Sequence, residues 1–336
     1  MMTFFLEKRP LEFHFIRPFH HMKSFRSFNF PDKPLCLLPF EDIFVFSLAN
    51  GQIATFDGKK FNFIFDNRQI TIGCLAKYDY FLIAGDWKGN LLLFLSEKPV
   101  LSRNFKLMDK FFIDDHLIKA LETFKHMIFV SLSTKLYIFK IENQKFVLET
   151  FLNLENKILC FYKLKNWLFM GMSVPALYAI NLEKEKMTLL ELECTQVAGI
   201  LAIYADDEIQ NEKIKILNAI TQINIKNGEI FTNQEKLDYQ LPNSLFTTSA
   251  DHTIYRNNEK YLICDDMCRK IDKYYYTDGN KLISRKDDTV LTEFKREICD
   301  FCIFNSSLVV AGLDCTIKIE QKEDFEDELA ELKQLL

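Results

Sequence analysis

Four cysteines stand at spacings that zinc sites use, Cys264-x3-Cys268 and Cys299-x2-Cys302. Cys302, however, falls on a strand position that recurs along the chain, and Cys299 precedes it on the same strand, so buried apolar cysteine is the stronger reading. His14, His20 and His21 lie together in FHFIRPFHHMKSFRSF without an acidic or thiol ligand at fixed spacing. That segment reads instead as a basic, aromatic surface strand. Its Arg17, Lys23 and Arg26 are suited to phosphate and its phenylalanines to stacking on bases, which makes RNA contact, indirect and within a complex, a candidate role. Ser249, Asp251 and His252 crowd one tight turn, where the three side chains cannot relay a proton in the order a triad needs. The pairs Asp265-Asp266 and Asp287-Asp288 are sequence neighbours in loops and read as solvated. No nucleophile elbow, zinc-protease helix, phosphate loop or dinucleotide fingerprint occurs. The residues therefore predict no catalytic centre, no cofactor and no metal site. One residue suits binding: Trp87, at a hairpin turn, has the type and placement of an interface hot spot, with packing against the next repeat as its alternative. Trp167, inside NWLFMGM, reads as core.

The elements that must position these residues repeat. SLANGQIATFD (Ser47–Asp57), GDWKGNLLLF (Gly85–Phe94), VSLSTKLYIF (Val130–Phe139), GMSVPALYAI (Gly171–Ile180) and AGLDCTIKI (Ala311–Ile319) are each a small-residue turn followed by an alternating apolar strand. Cys36, Cys74 and Cys160 each precede the turn position, Gly51, Gly89 and Pro175, by 15 residues, and Cys302 opens the same pattern with a shorter turn. Strand, tight hairpin and strand at a repeating period indicate an all-β propeller, whose units bury their faces only against one another.

The 336 residues, 48% hydrophobic and 26% charged, suffice for a large core. A net charge of −5 argues against a general nucleic-acid binder. The start is too polar for a signal peptide, and no apolar run is long enough for a transmembrane helix, so no membrane insertion is expected. Nine cysteines, mostly within apolar strands, read as reduced thiols and predict a cytoplasmic or nuclear protein. The abundance of Phe, Lys, Asn and Ile points to an AT-rich eukaryotic genome.

Two parts are predicted: a propeller over 1–320, in which 1–31 supplies a strand that closes the ring, and an acidic amphipathic helix over 321–336. Blade-like units fall at 32–67, 68–110, 111–152, 153–192, 193–236, 244–266, 274–294 and 298–320. The sixth and seventh turn signals lie close together, so seven blades are favoured over eight. Residues 107–124 are expected to hold a loop and a strand, with room for one helical turn, and Tyr204–Ile216 a polar hairpin or loop within one blade. In the tail, Phe325, Leu329, Leu332 and Leu336 recur at helix spacing behind an acidic first turn, giving a stripe that docks on the propeller or on a partner.

The repeated phrase resembles that of WD-repeat propellers, in which Gly-Ser-x-Asp-Gly-Thr-Ile-x-Val-Trp-Asp joins two inner strands. Asn50-Gly51-Gln52-Ile53 with Phe56-Asp57, Gly85 through Leu91, Ser249 through Ile254 and Gly312 through Ile317 carry the resemblance, with Lys88 where the turn aspartate usually stands. It covers about 30–320. Neither a Trp-Asp nor a Gly-His dipeptide occurs, so the usual Asp–His–Ser–Trp network is expected to be largely missing, and phenylalanine to take the place of tryptophan. The Trp87 turn is mildly similar to the checkpoint and mRNA-export propellers that bind short motifs, and to the propeller subunit of a tRNA methyltransferase. The resemblance implies a seven-bladed, non-catalytic scaffold or subunit of a multiprotein complex. The residues themselves, and not the resemblance, assign its protein contacts to Trp87, Phe325, Leu329, Leu332 and Leu336. The alternatives are an obligate subunit of an RNA-modifying or RNA-processing complex, a motif-binding propeller of the checkpoint or export type and, in a different class, a propeller hydrolase.

Overall fold

The computed structural model describes residues 24–58, 60–97, 104–183, 186–192, 194, 196–206, 216–224, 230–232, 244–257, 259–304 and 307–320. Within them, 29 strands form seven antiparallel sheets, and no helix occurs among the described residues. Strand β1 (Phe25–Asn29) precedes the first blade. Blade 1 is β2 (Pro34–Phe40), β3 (Ile43–Leu48), β4 (Gln52–Phe56) and β5 (Phe61–Asp66). Blade 2 is β6 (Ile72–Tyr78), β7 (Phe81–Asp86), β8 (Asn90–Glu97) and β9 (Asn104–Phe112). Blade 3 is β10 (Ile118–Phe124), β11 (Met127–Leu132), β12 (Lys135–Glu142) and β13 (Lys145–Asn153). Blade 4 is β14 (Ile158–Leu164), β15 (Trp167–Met172), β16 (Leu177–Glu183) and β17 (Lys186–Leu192). Blade 5 opens with β18 (Ile200–Asp206). The chain then leaves for a hairpin, β19 (Ile216–Asn224) and β20 (Ile230–Thr232), and returns as β21 (Ser244–Ser249), β22 (Thr253–Arg256) and β23 (Glu259–Ile263). Blade 6 is β24 (Tyr275–Asp278), β25 (Lys281–Ser284) and β26 (Val290–Glu293). Blade 7 is β27 (Ile298–Phe304), β28 (Ser307–Gly312) and β29 (Thr316–Glu320), and β1 adds to it as the outer strand, with Phe25 opposite Glu320 and Asn29 opposite Thr316.

Seven blades is the count because the unit expected at 193–236 is not a blade. Its first strand, β18, pairs with β21 from Ile200↔Ser249 to Asp206↔Ser244. The hairpin between them joins the outer edge of blade 4, where β19 pairs with β17. Alternation of apolar residues marks a strand but not the sheet edge it joins, so this insertion reads in sequence like a blade. Two other expectations are corrected. Residues 107–124 hold no helical turn: β9 runs to Phe112 and β10 starts at Ile118. And Cys302 is not the counterpart of Cys36, Cys74 and Cys160. Each inner strand of blades 1–5 and 7 carries a bulge at its start, after which Cys36 faces Ser47, Cys74 faces Gly85, Ala120 faces Ser131, Cys160 faces Gly171 and Ala202 faces Thr248. In blade 7 the residue at that place, facing Ala311, is Asp300.

Each of seven apolar clusters lies between two consecutive blades. The inner-strand cysteines show how closely neighbours approach. Cys74 Sγ donates to the Ile118 carbonyl of blade 3 at 3.8 Å, and Cys160 Sγ to the Ile200 carbonyl of blade 5 at 3.7 Å. A Cβ at the facing Gly85 would stand 2.7 Å from both Cys74 Sγ and Ile118 Cγ2, and one at Gly171 the same distance from Cys160 Sγ and Ile200 Cγ2. Glycine is present there because thiol and isoleucine occupy its side-chain space. Phenylalanine fills the fifth place of the third strand in blades 1–3, with Phe56, Phe94 and Phe139 fully buried.

Two outcomes follow. Gly85→Ala overpacks a blade interface and should lower stability by about 1–3 kcal/mol in urea unfolding. Burial pushes the Cys36 and Cys160 thiols up to about 12, with the Asp300 carboxylate adding to the effect at Cys36. An unfolded thiol releases its proton near pH ~8.5. Above that value the folded chain holds protons that the unfolded chain has lost. Stability is therefore full below about pH 8.5 and falls by about 1.4 kcal/mol per pH unit for each such thiol as pH rises toward 12. Unfolding curves from about pH 8 to about pH 10.5 should show this decline, and a Cys36→Ala/Cys160→Ala double variant a shallower one.

Candidate interaction face

The turns that join the second and third strands of the blades gather at one end of the ring, and those of blades 1, 2, 4, 5 and 7 are held to the connector that enters the blade. Ala49 N donates to Lys33 O (2.8 Å), Trp87 N to Thr71 O (2.9 Å), Ser173 N to Lys157 O (2.7 Å), Ala250 N to Gly199 O (3.0 Å) and Leu313 N to Glu297 O (2.9 Å). Among these five turns Trp87 is the aromatic residue at the equivalent position, where the other four carry alanine, serine or leucine.

Acidic side chains fix the turns from within. Asp86, fully buried, accepts from Lys88 N and Asn90 N, both at 2.8 Å, and from Asn90 Nδ2 at 2.7 Å. The turn aspartate of this blade is thus Asp86 and not the residue at position 88. Asp251 accepts from Thr253 N at 3.2 Å and Tyr255 OH at 3.0 Å, and Asp314 from Thr316 N at 3.1 Å and Lys295 N at 2.9 Å. Gly89 (φ +74) closes the Trp87 turn, and a Cβ there would stand 1.7 Å from Asp114 O. The connector Ile113–Leu117 therefore lies directly on this turn, with Ile113 N donating to Gly89 O at 2.9 Å.

Trp87 leans the other way. A Cβ at Gly73 would meet Trp87 Nε1 at 2.5 Å and Cδ1 at 2.9 Å, so the indole covers this glycine of its own inner strand while 51% of the residue stays exposed. Exposed Phe112 and Leu117 flank the same turn, Phe112 opposite Asn90 and Leu117 on the connector. The charges of this corner are Arg68 paired with Asp66 (3.4 Å), His116 paired with Asp114 (3.4 Å), and Lys88, Asp115 and Lys119, all exposed. Trp167 is buried, between blades 4 and 5.

The other candidates separate. Arg17, Lys23, Phe325, Leu329, Leu332 and Leu336 lie outside the described residues, as do His14, His20 and His21. Arg26 sits on β1, its guanidinium 4.9 Å from the centre of the Phe28 ring. Cys264 and Cys268 pack together between blades 5 and 6, whereas Cys299 and Cys302 pack between blades 7 and 1, so the four thiols do not converge. Burial pushes Cys268, Cys299 and Cys302 up, away from the thiolate form. Asp251 is engaged in its turn and His252 occupies a left-handed conformation (φ 63) within it.

A feature hidden in the sequence is an ion pair. Lys270 Nζ stands 2.9 Å from Asp300 Oδ1, and Leu37 N donates to Asp300 Oδ2 at 3.1 Å, so Asp300 joins blades 6, 7 and 1. Thr277 N donates to Lys270 O and Ile271 bridges Tyr276, which places Lys270 in blade 6 at the register held by Asp300 in blade 7 and by Cys36 in blade 1. Asp300 is the largest influence holding the Lys270 ammonium above the ordinary lysine range, although protein surrounds the lysine and its side chain still reaches solvent.

No family model and no curated protein matches the chain. Solved structures do. The chain is similar to Sqt1 of Saccharomyces cerevisiae, at 10% identity and a TM-score of 0.59 over 89% of this chain and 98% of that one. It is similar to the WD40 β-propeller domain of Doa1, at 8% identity and a TM-score of 0.55 over 91% and 99%. It is also similar to the computationally designed Ika8 protein, at 12% identity and a TM-score of 0.57 over 88% and 98%. The fold is a seven-bladed propeller of the WD40 type.

The two tryptophans should separate in solution. Acrylamide should quench Trp87 and spare Trp167, and Trp87→Ala should leave only the shielded, blue-shifted emission. Gly73→Ala should displace the indole and change the quenchable component while altering stability by less than about 1 kcal/mol, because the atoms in the way belong to the movable end of a side chain.

Proposed function

We propose that this chain is a non-catalytic scaffold, a propeller subunit that holds one or more proteins within a larger complex. The observation that carries the reading is the turn of blade 2. A large aromatic residue occupies a place where the other turns hold smaller ones, it is half exposed, and the buried Asp86 carboxylate and the hydrogen bond from Ile113 N to Gly89 O hold the backbone of its turn. A rigid scaffold presenting an exposed tryptophan beside exposed Phe112 and Leu117 has the composition of an interface centre. The WD40-type fold supports the same reading, since such propellers serve generally as interaction scaffolds. The acidic tail, 321–336, is a second contact in this proposal, through Phe325, Leu329, Leu332 and Leu336. The free cysteines suit a reducing compartment, cytoplasm or nucleus.

Affinity purification from the native organism tests this with three forms: the full chain, Trp87→Ala, and a chain ending at Ile319. A stoichiometric protein partner is expected with the full chain. Its loss with Trp87→Ala assigns the contact to the turn face, and its loss with the truncated form assigns it to the tail. Recovery of the full chain alone as a monomer would overturn the scaffold reading.

A further inference from the structure

We infer that Cys264 and Cys268 form a reversible redox pair, a site where a hydroperoxide drives the two thiols into a disulfide across the connector from blade 5 to blade 6. This goes beyond the scaffold reading and does not depend on it.

The fold makes the pair. Cys264 follows the outer strand of blade 5, and its N–H donates to His252 O at 2.8 Å. Cys268 stands just before the inner strand of blade 6, where Arg269 N and Lys270 N donate to Thr277 Oγ1 at 3.0 and 3.1 Å. Between the cysteines, Asp265 N and Asp266 N donate to the two oxygens of the Asp278 carboxylate, at 3.1 and 2.6 Å, and so pin the connector to blade 6. The thiols are thereby held in hydrogen-bonding contact, inside the apolar cluster that includes Ile254, Ile271 and Tyr276. Cysteines on the strands are placed differently. Cys74, Cys160 and Cys299 give their S–H to the backbone carbonyls of Ile118, Ile200 and Ala311. A disulfide needs two sulfurs that can close to ~2.05 Å, and a pair already in contact meets that need.

The chemistry balances with a hydroperoxide as the oxidant. One sulfur, as its thiolate, attacks a peroxide oxygen and becomes a sulfenic acid, and the other peroxide oxygen leaves as water or alcohol. The second sulfur attacks the sulfenic sulfur, the S–S bond forms, and the sulfenic oxygen leaves as water. Two thiol hydrogens and two electrons have then passed to the peroxide, and a thiol reductant reverses the change by exchange. Both cysteines are buried, so reaction follows a local opening. Blade 6 is built for that: β24, β25 and β26 have four residues each, and its inner strand meets β24 in one isolated bridge, Ile271↔Tyr276. The bond also ends the donation of Cys268 Sγ to Lys270 O (3.4 Å), which brings the change to the backbone of the lysine that pairs with Asp300.

The test treats the folded full chain with hydrogen peroxide, alkylates it in denaturant and maps its tryptic peptides. The peptide Tyr261–Arg269 carries both cysteines and no third. It should appear unalkylated and lighter by two hydrogens than the reduced peptide, and should do so on the order of tenfold faster than Cys74 and Cys160 lose their thiols. Oxidation of Met267 in the same peptide adds an oxygen and is told apart by mass. Dithiothreitol should restore both thiols. In Cys264→Ser and Cys268→Ser no bond forms, and the remaining cysteine of at least one variant should take up dimedone, the mark of a sulfenic acid left without its partner. Oxidation of Cys74 and Cys160 as fast as the pair would overturn the inference. So would a bond from Cys264 or Cys268 to any other cysteine, sulfinic or sulfonic acid in place of the bond, or a Tyr261–Arg269 peptide that stays doubly alkylated.

Discussion

Every other feature depends on closing the ring. The seven apolar clusters all lie between blades, so a blade without both neighbours leaves one face in water. Blade 7 obtains its fourth strand from the other end of the chain, through the pairing of β1 with β29. That pairing joins the first and last blades through the backbone and leaves β29 without an open edge. Phe28 carries the closure into the core: it lies 4.9 Å from Phe56 of blade 1, so the strand that completes blade 7 also packs against its neighbour.

Within the closed ring, the first position after the inner-strand bulge decides how tightly blades approach. Cysteine or alanine there, under glycine or another small residue, lets a neighbour's isoleucine enter. Lys270 and Asp300 break this pattern together in adjacent blades. The largely buried Asp300 carboxylate would be costly alone, whereas the pair satisfies it and ties blade 1 through Leu37 N, while the Lys270 side chain keeps its access to solvent. The pair discriminates this neighbour arrangement from any other, because at no other blade interface does that register bring opposite charges together.

The same rigidity serves the interaction face. Buried Asp86 holds the Trp87 turn, and the connector crosses Gly89 so closely that only glycine fits there. The backbone at Trp87 is thus set before any ligand arrives, and the energy of a contact there is not spent on ordering a loop.

The sequence by itself determined the local elements: a turn of small residues, an alternating strand, a recurring cysteine, and from their repetition a propeller. These are properties of neighbours along the chain. It marked Trp87 as a surface residue and Trp167 as core for the same reason, the polarity of the flanking residues. Tertiary structure alone decided which edge a strand joins, so that the hairpin of residues 216–232 extends blade 4 rather than founding an eighth blade. It also showed that Asp300, not Cys302, holds the recurrent position: the same bulge opens the inner strands of blades 1, 2, 4 and 7, and Asp300 precedes Cys315, which takes the left-handed turn position of Gly51 and Gly89, by the spacing that the cysteines keep. And it alone brought Lys270 to Asp300 and the indole of Trp87 onto Gly73. Long-range pairing and close approach depend on partners distant in sequence, and periodicity carries no information about which partner is chosen.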